Sequence, residues 1–457
     1  MLTSGKGDST AELSRGNPMI AFLFISLAVF LVMGIPIAFG LCLSVTLSFF
    51  LFSDMPIVII VQRLFANLTH YTLIAVPFFV LAGIIMENAG IARRLVRFAN
   101  ALVGHVPGGL ALATILSCMF FASISGSSAA TVAAIGGIMI PAMWKAGYNK
   151  KYAVGVTATG GCLGILIPPS GTLIAYGFVT EQSIGKLFIA GIIPGIILGM
   201  SLMLVSYIVA RRKNMRSGPK TTWREKWAAF REAVWSLCLP VIIIGGIYGL
   251  PEFRFGSLHY GGGAIFTPTE AAAVAVALAL FVGIFIHKEI KWRDIPQILY
   301  RSSGTIAMLL MIITNAILFG FILTSEEIPL ILAEWIVKHD LSPWMFLLVI
   351  NIALFFAGDF LDAFAIVMIF VPVLFPAAME LGIDPIHLGI VVVVNMEMGL
   401  ITPPIGIDLY VASGISGMPL YDVMRAAAPW ILVVVAVLLL VTYIPSLSLF
   451  LPNLLYG

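Results

Sequence analysis

A serine-rich stretch inside otherwise apolar sequence carries oxygen atoms that could bind a cation. SISGSS supplies Ser123, Ser125, Gly126, Ser127 and Ser128. Serine hydroxyls are neutral oxygen ligands, and residues this small let backbone carbonyls approach a dehydrated cation such as Na+. The alternative interpretation is that these residues only allow two helices to pack closely.

A second polar stretch, FAGDFLDAF, contains carboxylates instead of hydroxyls. It holds Gly358, Asp359 and Asp362. An acidic side chain within a membrane segment is costly unless it is functional or paired. One aspartate could therefore supply charge to a cation site, while the other bonds helix ends; a local cap is the alternative for each. Changing either aspartate to asparagine is predicted to alter the Na+ dependence of uptake.

Two further stretches, CLGILIPPSG and GLITPPIG, place proline and glycine where their surroundings predict membrane helix. Proline removes a backbone donor and glycine weakens a helix, so both helices should break there. A broken helix exposes carbonyls that suit a cation and N–H groups that suit a carboxylate. Adding the break residues to the two tips gives two predicted sets. The predicted cation ligands are Ser123, Ser125, Gly126, Ser128, Gly164, Pro168, Gly358, Asp359, Asp362, Gly399, Thr402 and Pro403. The predicted substrate contacts are Ser125, Ser127, Ser170, Thr172, Asp359, Asn395, Thr402 and Asp408.

Glu397 also lies beside the second break, and its role stays open. Its carboxyl group could face the cavity or bond a neighbouring helix. Asp408, just past the break, is the weaker of the candidates for substrate contact.

The elements that position these stretches must be membrane helices. The chain has 457 residues, of which 60% are hydrophobic and 10% charged, with a mean hydropathy of +1.08. This composition predicts an all-α polytopic membrane protein. There is no P-loop, HExxH motif or GxSG motif, and the four cysteines lack metal-ligand spacing, so we predict that the protein is not an enzyme.

The topology follows from the apolar runs and from where the charges lie. The connection 211–231 holds eight Lys or Arg against one Glu, which predicts a cytoplasmic location. The acidic segment SEEIPLILAEWIVKHD fits a loop on the outer face. Predicted spans include 233–250, 304–323 and about 430–450. Counting 108–145 and 343–380 as re-entrant hairpins gives ten crossings with both termini outside.

The two breaks belong to an internal repeat. With a shift of 235 positions, Pro168 and Pro169 align with Pro403 and Pro404 without a gap. Thirteen Gly or Pro residues lie between 141 and 194, and seven have an identical partner. Chance would give roughly one, so a repeat is the better interpretation. Hairpin 1 enters from the cytoplasmic side and hairpin 2 from the outer side, so the copies are predicted to be inverted. Paired broken helices in inverted halves are typical of secondary transporters.

The predicted organisation has six parts. They are a polar leader (1–18), scaffold helices (19–90), an amphipathic arm (91–107), transport repeat 1 (108–210), a basic loop with scaffold helices (211–342) and transport repeat 2 (343–450).

Several motifs together resemble the large membrane subunit of tripartite ATP-independent periplasmic (TRAP) transporters. They are AVPFFVLAGIIMENAGIARRL, ASISGSSAATVAAIG, GILIPPSG, FTPTEAAAVAV and GIDPIHLGIVVVVNMEMGLITPPIG. The resemblance runs from about residue 20 to 450. It implies an inverted-repeat, elevator-type fold with two re-entrant hairpins and two discontinuous helices, and two Na+ sites at the hairpin and broken-helix pairs. One departure stands out, since many members carry Asn where this chain has Asp408.

The resemblance also implies the function and the partners. It implies import of an organic acid across the bacterial inner membrane, coupled to Na+. It implies a small four-helix membrane subunit and a periplasmic substrate-binding protein. The motifs resemble C4-dicarboxylate members more than sialic-acid members, and an ion channel is the alternative from a different class.

Overall fold

The computed structural model describes residues 18–53, 56–215, 217–249, 253–255, 258–260, 264–403 and 406–456. Almost all of the predicted polar leader lies outside these ranges. So does Pro404, the partner of Pro169 in the repeat.

The described chain is almost entirely helical, as its composition predicts, and contains twenty α-helices. The first ten are α1 (Pro18–Val32), α2 (Ile37–Phe52), α3 (Val58–Leu68), α4 (Ala75–Asn88), α5 (Ile91–Val103), α6 (Gly109–Ser125), α7 (Ser128–Lys145), α8 (Lys150–Gly160), α9 (Gly171–Thr180) and α10 (Ile184–Arg212). The others are α11 (Trp223–Tyr248), α12 (Pro268–Phe281), α13 (Ile295–Ser325), α14 (Ile328–Lys338), α15 (Pro343–Gly358), α16 (Ala363–Glu380), α17 (Pro385–Leu400), α18 (Ile407–Ser416), α19 (Leu420–Tyr443) and α20 (Ser446–Tyr456).

Short elements complete the described fold. Three 3-10 turns cover Tyr71–Ile74, Gly161–Gly164 and Trp292–Asp294, and a π-helical turn, Val282–Ile286, extends α12. Within the glycine-rich loop, β1 (Phe253–Phe255) and β2 (Leu258–Tyr260) pair antiparallel.

Several helices are longer than the predicted spans. α11 begins at Trp223, inside the segment predicted as a basic loop, because Thr222 and Glu225 form a reciprocal capping box there. α13 begins at Ile295 and α19 at Leu420, about ten residues before the expected positions. The acidic outer segment is not only a loop, since it contains α14. Hydropathy marks where a helix leaves the hydrocarbon, whereas backbone hydrogen bonding continues into the headgroup region.

Eight helices of the described chain are long and apolar enough to cross a membrane. Two of them, α7 and α16, are the second arms of the hairpins. The predicted ten crossings would require, besides the other six, the shorter apolar helices α1 and α2 and the two broken helices.

The helix boundaries follow the same 235-residue repeat that the glycine and proline positions predict. α7 spans 128–145 and α16 spans 363–380, a shift of 235 at both ends. α8 and α17 begin at Lys150 and Pro385, again 235 apart. The packing is also reciprocal: α8 packs on α19 while α17 packs on α10, and α9 packs on α16 while α18 packs on α7. Such exchange of equivalent partners relates the two copies by a pseudo-two-fold axis.

The helix order fits the predicted inversion of the two copies. Between hairpin 1 (α6 and α7) and hairpin 2 (α15 and α16) lie broken helix 1 (α8 and α9) and then α10, α11, α12 and α13. If each of these five segments crosses the membrane, as the sequence predicts, the odd number places the entrances of the two hairpins on opposite faces.

Candidate ion and substrate site

Tip 1, the turn Ser125–Ser128 of hairpin 1, lies against break 1, the segment 161–170. Gly126 ends α6 with φ 59°, and a Cβ added there would lie 2.8 Å from the carbonyl oxygen of Pro169. A Cβ on Gly164 would lie 2.5 Å from the carbonyl oxygen of Ser127. Tip and break therefore meet backbone to backbone, which only glycine permits at these positions.

The predicted serine ligands of tip 1 divide into two groups. Ser123 donates to the carbonyl of Phe120 at 2.7 Å, and the hydroxyls of Ser125 and Thr131 are 3.0 Å apart. Ser127 caps α7 by accepting from the backbone of the helix's first turn. Ser128 differs, because its hydroxyl donates to a residue of the other copy.

Ser170 and Thr172, predicted as substrate contacts, are both buried at the end of break 1. Their hydroxyls are 2.8 Å apart, and Ser170 caps α9 by accepting from the N–H of Leu173 at 3.4 Å. Pro168 is buried in the same turn. A Cβ on the adjacent Gly171 would lie 2.8 Å from the ring of Phe364, so hairpin 2 closes over this half-helix end.

Hairpin 2 meets α17 in the same manner, directly before tip 2 (the turn 359–362) and shortly before break 2 (the interruption between α17 and α18). A Cβ on Gly399 would lie 2.6 Å from the Cα of Gly358. Asp362 caps α16, accepting from the N–H of Ala365 at 3.0 Å. Asp362 stands 235 positions after Ser127, the cap of α7. The structure therefore supports a local cap for Asp362, which sequence reasoning kept as an alternative.

Asp359 is the second aspartate of tip 2 and has no such role. It is 5% exposed, and its Oδ1 has no hydrogen-bond partner among the described residues. Thr402, which follows the end of α17, donates to the carbonyl of Met398 at 2.5 Å and is partly exposed, as is Pro403.

Asn395 lies in a buried chain of polar side chains that joins helices. Its amide donates to Asn351 Oδ1 at 2.9 Å, and the amide of Asn351 donates to Thr442 at 3.0 Å. Asn395 Oδ1 has no partner in the described chain. The structure places Asn395 within α17, more than one helical turn before break 2, where its amide contacts α15 of hairpin 2.

Two carboxylates of copy 2 reach into the site of copy 1. Glu397 Oε1 accepts from the backbone N–H of Ile165, in break 1, at 3.2 Å. Asp408 accepts a hydrogen bond from the Ser128 hydroxyl in tip 1. Both side chains are 0% exposed. Sequence reasoning missed this cross-contact, because the partners are more than 230 positions apart and nothing in the local pattern connects them.

Each of these carboxylates keeps one unpartnered oxygen. Glu397 Oε2 and Asp408 Oδ1, like Asp359 Oδ1, are buried and accept no hydrogen bond from the described residues. None of the three forms an ion pair with a Lys or Arg within those residues. Because a buried, unpaired carboxylate oxygen is unfavourable, this arrangement suits a bound cation.

Any cation here would need other ligands besides carboxylates. The described ranges contain no group of three or more His, Cys, Asp or Glu side chains that could hold a metal ion. Hydroxyl and backbone carbonyl oxygens at the tips and breaks are available, and a weakly bound alkali cation prefers such neutral ligands.

Comparison with known proteins identifies the family. The family described as "Tripartite ATP-independent periplasmic transporter, DctM component" matches residues 24–447. The chain belongs to this TRAP transporter family. It is a multi-pass membrane permease subunit and not an enzyme, as the sequence predicts.

Three relatives give the resemblance more detail. A "C4-dicarboxylate TRAP transporter large permease protein DctM" of Pseudomonas aeruginosa is 50% identical over 91% of this chain and 94% of its own length. A protein of the same description from Rhodobacter capsulatus is 44% identical over 96% of this chain and 100% of its own length. A "Sialic acid TRAP transporter large permease protein SiaM" of Vibrio cholerae is 36% identical over 93% of this chain and 96% of its own length.

A solved structure shares the fold. The Alcanivorax borkumensis YdaH transporter matches with a TM-score of 0.59 at 14% identity, over 83% of this chain and 86% of that one. At this identity the match supports the all-α polytopic architecture of the TRAP subunit and nothing about its substrate.

Proposed function

We propose that this TRAP subunit couples inward Na+ movement to the import of an organic acid, with a C4-dicarboxylate as the best candidate. The proposal rests on the two places where a hairpin meets a broken helix backbone to backbone. Near these contacts lie buried carboxylates, each with one oxygen that has no hydrogen-bond partner in the described chain. Two Na+ ions, one at each pair, would compensate that charge.

The two Na+ sites would differ in their ligands. At the first, tip 1 and break 1 offer hydroxyl and carbonyl oxygens, and Asp408 with Glu397 supplies the charge. At the second, Asp359 supplies charge beside the Gly358–Gly399 contact and Thr402. Carbonyls at the end of a broken helix are well suited to a dehydrated cation.

The substrate carboxylate would bind between the same elements. α9 begins with a side-chain cap from Ser170, whereas α18 begins at Gly406 with no side-chain cap. Uncapped N–H groups at a helix N-terminus attract an anion. The α18 end is therefore the better anion site, and a bound Na+ would offset the repulsion from Asp408 in its first turn.

Movement of the substrate would follow an elevator mechanism. The two transport repeats would move as a body past the scaffold formed by α1, α2, α4 and α11–α13, carrying both sites across the inner membrane. The small four-helix membrane subunit and the periplasmic substrate-binding protein complete the machine, in line with the tripartite family to which the chain belongs.

Sialic acid is the second candidate substrate, because a sialic acid permease is among the relatives. The C4-dicarboxylate permeases are more similar to this chain, at 50% and 44% identity. This order of similarity supports a C4-dicarboxylate first.

The proposal is tested by reconstituting the chain with its candidate partner proteins in proteoliposomes. Uptake of a labelled C4-dicarboxylate and of sialic acid is measured with and without an inward Na+ gradient. Saturable uptake of the C4-dicarboxylate that requires both Na+ and the binding protein is the expected result. Na+-independent uptake would remove the coupling, and large unitary currents would favour a channel.

A further inference from the structure

The cytoplasmic start of α11 extends beyond the hydrocarbon core of the bilayer. The helix has 26 residues, Trp223–Tyr248. At about 1.5 Å rise per residue it is roughly 39 Å long, against about 30 Å for the core. Roughly six residues therefore project into the headgroup region, and the basic segment before them places that end at the cytoplasmic face.

One face of this projecting segment and of the two turns that follow it is both basic and aromatic. Arg224, Trp227, Arg231 and Trp235 follow one another at intervals of three or four residues, so they share a face. Trp227 is 60% exposed and Trp235 43% exposed, and both arginines are exposed. Further along the helix the same face continues with Ile242, which is also exposed. Along this face two Arg and Trp pairs are thus followed by aliphatic surface, as the headgroup of a lipid is followed by its chains.

The basic end of this face is concave. A surface cavity of about 480 Å³ is lined by Arg224, Trp227, Ala228, Arg231 and Glu232. It is bounded on one side by an ion pair, since Glu232 accepts from Arg97 of α5 at 2.8 Å. The acidic residue of the cavity is therefore already neutralised.

The two arginines have no counter-charge of their own. Neither forms a hydrogen bond or an ion pair with any residue that the structure describes. Arg224 also lies in the first turn of α11, where the helix dipole already contributes positive potential. A cation is unfavourable at that end of a helix unless an anion is bound nearby.

We propose that this face, Arg224–Trp235 of α11, binds the phosphate group of an anionic phospholipid from the cytoplasmic leaflet. The guanidinium groups of Arg224 and Arg231 bind the phosphate, and the two tryptophans hold the glycerol region at the interface, where such side chains are favoured. The acyl chains extend along Ile242.

The lipid face is connected to the arm helix α5 through a row of aromatic rings. The ring of Trp227 lies 5.4 Å from that of Phe230, which lies 5.6 Å from that of Phe98 on α5. α5 leads directly into hairpin 1, and Arg97 binds Glu232. The lipid face is therefore continuous with the contacts that fix this arm to the scaffold.

Native mass spectrometry of the full-length protein in detergent tests the site. Phosphatidylglycerol and phosphatidylcholine are titrated separately, and lipid-bound species are counted. The wild-type protein should retain phosphatidylglycerol preferentially. Because each basic residue contributes about fivefold to the binding of an anionic lipid, Arg224→Gln/Arg231→Gln should weaken phosphatidylglycerol binding by roughly 25-fold.

The matched control is Arg211→Gln/Arg212→Gln. It removes the same charge from the exposed cytoplasmic end of α10, where no tryptophan shares the face, and should change binding less than about threefold. Equal losses in the two double variants would show bulk surface charge instead of a site. Equal retention of phosphatidylcholine, or displacement of the lipid by millimolar inorganic phosphate, would also overturn the proposal. Loss of the co-purified small subunit without loss of lipid would assign the face to a protein partner.

Discussion

The two halves of the site share a backbone design but differ in charge. Both hairpins meet the broken helix of their own copy through glycine contacts so close that a Cβ would lie 2.5–2.6 Å from backbone atoms. Between residues 108 and 210 the only acidic residue is Glu181, whereas Asp359, Asp362, Glu397 and Asp408 all belong to copy 2. Copy 2 then lends Glu397 and Asp408 to the break and tip of copy 1. Duplication therefore preserved the geometry, while the negative charge of both halves comes from one copy.

The largest expected effect tests the shared geometry. Gly164→Ala and Gly399→Ala each place a Cβ within 2.6 Å of backbone atoms of the facing hairpin. Because backbone cannot move aside as a flexible side chain can, each variant should lower Na+-driven uptake at least about tenfold. Gly137→Ala is the control, since nothing lies within 4 Å of its added Cβ. If only one of the two variants loses uptake, the halves do not share a geometric requirement.

The next effect tests the charge that crosses between copies. Asp408→Asn keeps the shape of the side chain that Ser128 contacts but removes the charge. If Asp408 supplies negative charge to the bound cation, losing it should raise the half-saturating Na+ concentration by about tenfold or more, which corresponds to about 1.4 kcal/mol of Na+ affinity. Asp422→Asn, which breaks only the exposed pair with Lys151, is the control. A changed melting temperature with unaltered Na+ dependence would make the contact purely structural.

A smaller effect separates the two aspartates of tip 2. Asp359→Asn should raise the half-saturating Na+ concentration several-fold, because it neutralises the side chain with an unpartnered, buried oxygen. Asp362→Asn should leave Na+ dependence nearly unchanged, since asparagine also caps helices well. Asp362→Ala and its equivalent Ser127→Ala should each cost about 1 kcal/mol of stability in thermal unfolding. A strong Na+ phenotype for Asp362→Asn would contradict the capping role.

The smallest effect concerns two arms, the helices that directly precede the hairpins: α5 before hairpin 1 and α14 before hairpin 2. Arm helix α5 is tied to the scaffold, because Glu289 binds both Arg93 and Arg94, whereas α14 forms no ion pair within the described chain. Glu289→Gln should lower the free energy of unfolding by about 1 kcal/mol or less, and the loss should shrink at high salt. Glu334→Gln on α14 should have no measurable effect. Equal shifts would show that the arms are fixed alike.

Much of the fold was accessible from local pattern. Short apolar runs around polar tips predicted both hairpins. The glycine and proline spacing predicted both breaks and the 235-residue repeat, because special backbone geometry requires those residue types. The ends of helices in the headgroup region were harder to predict from the sequence, as the start of α11 at Trp223 shows. The capping pair Thr222 and Glu225 marks this helix start, whereas hydropathy does not indicate it.

Sequence alone determined the class of protein, its family and the residue types at the site, since composition, periodicity and motifs are local properties of the chain. Only the tertiary structure decided which polar groups meet. Asp362 is bound to its own helix, Asn395 to a neighbouring helix, and Asp408 to the tip of the other copy. These roles depend on distances between segments hundreds of positions apart, which packing sets and which no single stretch of sequence records.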